Sequence, residues 1–322
     1  MAFFSLIFVL MTSYKLLKIL PCVFILFISA DIYAQGCSDA GLCTAGGMKH
    51  TQNENEKTFT ANFQYGKGEQ NVNISSIQLE YRQLIKNKWA FQIKLPFVFT
   101  SGNLGNTGAL GDLSLVGSYK PQSDKSWQSE FNIGFKLPTG RTDLLKNQLT
   151  GLTAPMPYQS GLGTFDVLLG ASIAHKKGWF FATGIQLPLI QNNNNIFDTS
   201  IGSFTQEQRA YFSSTRLIRQ PDIVARLEKT FSYKEKLRFQ LGFIPIYHLG
   251  NDSYTEFSGN REKITLTGSE GLTLNMSSGV TYKLKDNLQV SIRYSQPFIV
   301  RKVRPDGLTR HYVFGFELSY GL

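Results

Sequence analysis

The sequence predicts an all-β chain folded as a transmembrane, antiparallel, up-and-down β-barrel of about 12 strands, with both termini on the periplasmic side. Three observations predict it. In WQSEFNIGFKLPTG, residues Phe131, Ile133, Phe135 and Leu137 alternate with Glu130, Asn132, Gly134 and Lys136; in GTFDVLLGASIAH, residues Val167, Leu169, Ala171 and Ile173 share one face. A period of two puts successive side chains on opposite faces of a strand, here one apolar and aromatic and the other charged. Second, this alternation recurs along the chain, and short lysine-rich turns (KNK, PQSDKS, KKG, SYKEK, KDN) alternate with longer loops. That asymmetry belongs to barrels with short periplasmic turns and long outer loops. Third, the pattern contains an internal repeat whose period is one hairpin.

Composition narrows the alternatives. Hydrophobic residues make up 42% of the 322 and aromatics 13%, with 25 Phe and 14 Tyr. After the N-terminus, no stretch is long and apolar enough for a spanning helix, whereas a barrel strand needs only about ten residues, half of them facing the lumen. The aromatic excess suits a lipid-facing belt. The formal charge is +10, but Lys and Arg are dispersed among strands and turns. Without a basic helix or an RNA-binding motif, nucleic acid is not an expected partner. Outer-membrane lipid and a small-molecule solute are.

The N-terminus reads as an export signal over 1–34. From Met11, MTSYKLLKILPCVFILFISADIYA places Lys15 and Lys18 before an apolar run that ends at Ala34, the expected cleavage point. Met1 to Leu10 is additional apolar sequence, with Met11 as the alternative start. A retained helical anchor is the competing reading, disfavoured by the Ile-Tyr-Ala ending. Residues 35–57 are then a periplasmic N-terminal segment and 58–322 the outer-membrane barrel. Export implies an oxidising compartment, so Cys37 and Cys43 in CSDAGLC are a disulfide candidate. Acylation of Cys37, on a lipobox reading of AQGC, is the alternative, although Ala34 stands where Leu is expected.

In chain order, strands are expected at 58–66, 74–84, 89–101 and 111–120, then twice within 127–175. They continue at 179–190, 220–231, 236–249, 271–284, 288–298 and 311–322. The glycine-rich GNLGNTGAL is expected to be a turn, and NNNN to sit in a long loop over 191–219. Rising strands carry Pro96, Pro138, Pro188, Pro245 and Pro297 towards their outer ends. Proline cannot donate to the ladder, so it belongs at a strand end or a bulge. Trp89, Trp127 and Trp179 each begin a rising strand, where an aromatic girdle would lie. Asp112, Asp166 and Asp222 each open a descending strand.

The segments FKLPTG (135–140) and, after the loop, GLGTFDVLLGAS (161–172) resemble the signature of a Gram-negative outer-membrane barrel family named for meta-pathway phenol degradation and described as transporters. The resemblance implies a signal peptide, a barrel of this size and a channel or uptake role, including hydrophobic or aromatic solutes.

Alternation assigns Glu80, Arg82, Lys94, Asp112, Glu130, Lys136, Asp166, Arg226, Glu228, Arg238, Arg293 and Glu317 to the lumen as pore-lining candidates. A charge facing lipid would cost about 2–4 kcal/mol near the midplane. Such a lining could form a selective pore, or its acids and bases could pair and fill the lumen. A barrel hydrolase would need a His beside a Ser nucleophile and an orienting polar group. His50, His175, His248 and His311 show no His-X-Ser pair on a strand, and all four read as solvated or girdle residues. No catalytic residue, metal-ligand spacing or cofactor motif is expected.

Overall fold

The computed structural model describes residues 56–322, apart from 87, 122–125, 202–204, 258–259 and 308–309. The export signal, the cleavage point at Ala34, His50, Cys37 and Cys43 lie outside the described residues.

The strands are β1 (Lys57–Gly68), β2 (Asn73–Ile85), β3 (Trp89–Gly102), β4 (Gly105–Leu110), β5 (Leu113–Tyr119), β6 (Trp127–Leu137), β7 (Thr164–His175) and β8 (Trp179–Gln191). They continue with β9 (Asp222–Tyr233), β10 (Leu237–His248), β11 (Ser253–Thr255), β12 (Lys263–Thr265), β13 (Gly271–Lys285), β14 (Leu288–Ile299) and β15 (Arg310–Gly321). Each barrel strand pairs antiparallel with its neighbours, and β1 joins β15 from Thr58↔Gly321 onward, which closes the sheet. Because β4 and β5 are two halves of one strand alongside β3, the barrel has twelve strands. One expectation needs correcting here. Only Asn103 and Leu104 of the glycine-rich segment form the turn, between Gly102 and Gly105; Gly105–Leu110 is β4, paired with β3 from Phe97↔Leu110 to Gly102↔Gly105. The β11–β12 hairpin, which alternation did not reveal, lies in the loop between β10 and β13.

Each of the five prolines sits where the ladder is already interrupted. Pro96 falls between the β5 pairing, which ends at Lys94↔Ser114, and the β4 pairing, which begins at Phe97↔Leu110. Pro188 and Pro297 adjoin register shifts at Phe165/Asp166 and Leu274/Asn275. Pro245 lies in the gap between Phe243↔Leu227 and Ile246↔Val224, and Pro138 follows the last residue of β6. A residue without an N–H costs least at such places, and the resulting bulges bend the strands that close the barrel.

The two faces of the wall differ as the alternation requires. On β6, Phe131 and Ile133 are each 53% exposed, whereas Asn132 and Lys136 are 8% and 3% exposed. A ring of aromatics marks the short-turn end: Trp89 packs on Tyr119 at 4.6 Å, Trp127 on His175 at 4.3 Å, and Lys229 lies 4.7 Å above Trp179. Rings with an apolar body and a polar edge favour the boundary between hydrocarbon and water. Both ends of the barrel sheet, Lys57 and Gly321, lie at this same end.

Candidate functional site: the lumen and its mouth

Of the twelve sequence-selected charges, Glu80, Arg82, Lys94, Lys136, Asp166, Arg226, Glu228 and Glu317 are buried, and most of the twelve come into pairs. Lys94 approaches Glu80 at 3.7 Å, and Gln92 also donates to Glu80. Arg226 holds Glu228 through Nε at 3.1 Å and Nη2 at 2.6 Å. Lys120 reaches Glu130 at 3.5 Å. Lys136 bridges Asp166 at 2.9 Å and Asp112 at 3.4 Å and donates to Thr164 at 3.2 Å. Arg238 and Glu317 have interactions of their own, while Arg82 is buried on β2. Removing such charges from water is tolerable only when the partner and further hydrogen bonds come with them.

Asp112 also explains the sequence signature. Its Oδ1 accepts the N–H of Gly140 at 3.0 Å and its Oδ2 that of Leu162 at 3.2 Å. Gly140 and Gly161 pack against one another, so a Cβ on Gly140 would come within 2.6 Å of Gly161 Cα. The LPTG strand end and the GLG turn are therefore two sides of one close contact, clamped by the acid that opens β5.

The loops fold inward over the mouth. Tyr158 and Phe197 are 0% and 1% exposed and pack with Val72, Ile74, Ala154 and Tyr211. Asn195, from the NNNN run, donates to the carbonyls of Thr142 at 3.0 Å and Ala154 at 2.8 Å and accepts from the Ser214 hydroxyl at 2.8 Å. Beneath this cap lie two cavities. The upper, of about 130 Å³, runs from Met156 and Gln159 down to Lys94; the lower, of about 100 Å³, reaches Arg226, Arg293 and Glu317. Gln64, Gln78 and Lys94 line both.

Sequence reasoning missed one cluster entirely. Arg219, Asp222, His248, Asp252, Arg301 and Asp306 form a closed ring of alternating charge. The contacts run Arg219–Asp222 3.0 Å, Asp222–His248 2.6 Å, His248–Asp252 2.7 Å, Asp252–Arg301 4.0 Å, Arg301–Asp306 3.1 Å and Asp306–Arg219 2.8 Å. The reading of His248 as a solvated or girdle residue is thereby corrected: it is 0% exposed. Both its nitrogens face carboxylate oxygens, so both contacts are hydrogen bonds only when both nitrogens carry hydrogen. Neither nitrogen is then left to act as a base towards a nucleophile, which argues against a hydrolase built on His248. Burial alone would raise the Asp306 carboxyl, yet the Arg301 and Arg219 guanidiniums hold it below its ordinary value. The ring ties β9 and β10 to the loops after β10 and β14. No local motif could reveal it, since Arg219 and Asp306 are 87 residues apart.

No known protein family matches the chain, and no curated protein sequence does. Among solved structures, an outer membrane channel of Pseudomonas putida F1 (COG4313) is similar, with TM-score 0.59 and 13% identity over 86% of this chain and 99% of that one. The NanC porin aligns with TM-score 0.49 and 9% identity over 82% and 100% of the two chains. A monoaromatic hydrocarbon channel, CymD, aligns with TM-score 0.42 and 11% identity over 91% and 95%. The first likeness establishes a shared fold, that of an outer-membrane barrel.

Proposed function

We propose that the chain is a bacterial outer-membrane channel through which small molecules pass by passive diffusion, with its short-turn end and both termini in the periplasm. One observation carries the reading: the two lumenal cavities share Gln64, Gln78 and Lys94, so they lie in series along the barrel axis. Paired charges on the inward face keep water and polar solutes compatible with an otherwise closed sheet. Most other inward side chains are buried, which favours a narrow route and low conductance. The polar lining supports a water-soluble solute more readily than the hydrophobic or aromatic one that the resemblance implies.

The test is single-channel recording of purified protein in planar bilayers. Discrete, salt-dependent current steps are expected. Silence after repeated insertion of barrel shown to be folded would sink the channel reading. It would favour instead a non-conducting barrel that binds a partner through its outer loops, a reading motivated by the ordered packing of 192–200 around Asn195. Export belongs to the same proposal: mature protein beginning at Gln35 is expected, and an intact Met1 or Met11 would contradict it.

A further inference from the structure

Arg293 stands apart from the other cations that line the two cavities. Lys94 and Arg226 are engaged by Glu80 and Glu228, and Glu317 has an interaction of its own. Arg293 makes no hydrogen bond or ion pair among the described residues, and its Nε is enclosed without a partner. It projects into the lower cavity, which it shares with Ser277 and Ser295. An arginine held at membrane depth without a protein partner is costly, and a ligand that completes its fork offsets the cost.

The neighbours on either side make room for such a ligand. In register, Arg293 lies between Gly279 on β13 and Gly315 on β15. Neither glycine is required by close packing. A Cβ on Gly279 would meet its nearest atoms at 3.4 Å and one on Gly315 at 3.7 Å, both ordinary contacts. What the two glycines do is leave the space beside the guanidinium empty of side chains. Two further enclosed polar atoms in this cavity lack a partner among the described residues: Asn62 Oδ1 and Gln240 Oε1. The cavity thus offers a planar cationic donor together with two acceptors.

We propose that Arg293, Asn62 and Gln240 form a mid-lumen binding site for a small hydroxyl-bearing organic carboxylate. Its carboxylate takes the guanidinium, and its hydroxyl donates to the Asn62 amide oxygen, with the Gln240 amide oxygen beside it as the acceptor for a second hydroxyl where the solute has one. This assigns a solute class to the channel proposed above and rests on that reading for transport, but not for binding.

The probes are lactate and propionate, which share the carboxylate and differ by one hydroxyl. Calorimetry on detergent-solubilised barrel reads binding whether or not the protein conducts. Lactate is expected to bind more tightly than propionate. Arg293→Gln should weaken lactate by about 10- to 100-fold, the loss of a charge-assisted pair, and Arg293→Lys by less, because charge remains without the fork. Asn62→Leu should bring lactate and propionate together. In bilayers, the reversal potential under a lactate gradient should show anion preference in the wild type and lose it in Arg293→Gln. Resistance to unfolding on unboiled gels checks that each variant is folded. Equal lactate binding by folded Arg293→Gln and wild type would overturn the site. Normal binding with no conductance would overturn the channel and leave the site standing.

Discussion

The inward side chains from β5 to β10 include Val116, Leu168, Val224 and Ile246, while those from β13 round to β2 include Ser277, Arg293, Gln64 and Gln78. The first half packs upon itself: Val116, Leu168 and Val224 are 1%, 1% and 0% exposed and form one cluster with Phe180, Ala182, Ile244 and Ile246. The second half lines most of the lower cavity and much of the upper. One wall therefore behaves as a core and the other as a route. A barrel of this size has too little interior for both roles all the way round. Dividing them between halves allows a rigid frame to support a polar path.

The largest expected effect separates the two halves directly. Val224→Asp introduces a carboxylate at a fully buried position among the apolar neighbours of this cluster, beside an Arg226 already held by Glu228, and should destabilise the barrel by about 3–5 kcal/mol. Ser295→Asp, on the cavity side beside Arg293, should unfold at nearly the wild-type urea concentration. Similar losses in both variants would show that the halves do not differ as described.

A second pair of variants compares the inward and outward faces of β6. Ile133 is 53% exposed on the outer face and Asn132 is 8% exposed on the inner one. Ile133→Arg should cost about 2–4 kcal/mol near the membrane midplane. Asn132→Arg should fold and shift ion selectivity towards anions. Cysteine at 133 should react with lipid-soluble probes and at 132 with water-soluble thiol reagents. Equal labelling of both from water would mean that the register on β6 is misassigned.

What was legible in the sequence follows from the range of the forces involved. Alternation is a local property, so strand limits such as Trp89, Trp179 and Leu288 and the inward placement of Lys94, Lys136 and Arg226 could be read directly. Strand β4 was hidden because GNTGAL has no alternation to show and pairs only through its backbone. The partition between core wall and route was hidden as well, since it depends on which strands face one another. His248 was misread for the same reason: its partners Asp222 and Asp252 flank it at 26 and 4 residues, one of them on a neighbouring strand. Only the placement of acids at strand openings, Asp222 among them, hinted at a structured rim.

The smallest expected effect on stability tests how the two halves are joined. The charged ring is rooted in Asp222 on β9 and His248 on β10, both in the packed half, and its far side, Asp306, also lines the upper cavity. Arg304, from the same loop, holds Glu69 between β1 and β2 at 2.8 Å. The loop after β14 is therefore strapped from the rigid half across the route. Because the Asp306 carboxyl sits below its ordinary value in the folded state, its contribution is fully present above the unfolded carboxylate range, near pH 4. That contribution is lost as pH falls through the lower folded value. Asp306→Asn should reproduce the acid condition at neutral pH. Opening of a loop strap is local, so the global unfolding midpoint should shift by less than about 1 kcal/mol. Conductance should rise instead, and acid should raise it further in the wild type than in Asp306→Asn. If Asp306→Asn leaves conductance and its acid response unchanged while the barrel remains folded, the ring only stiffens the rim and does not limit the path.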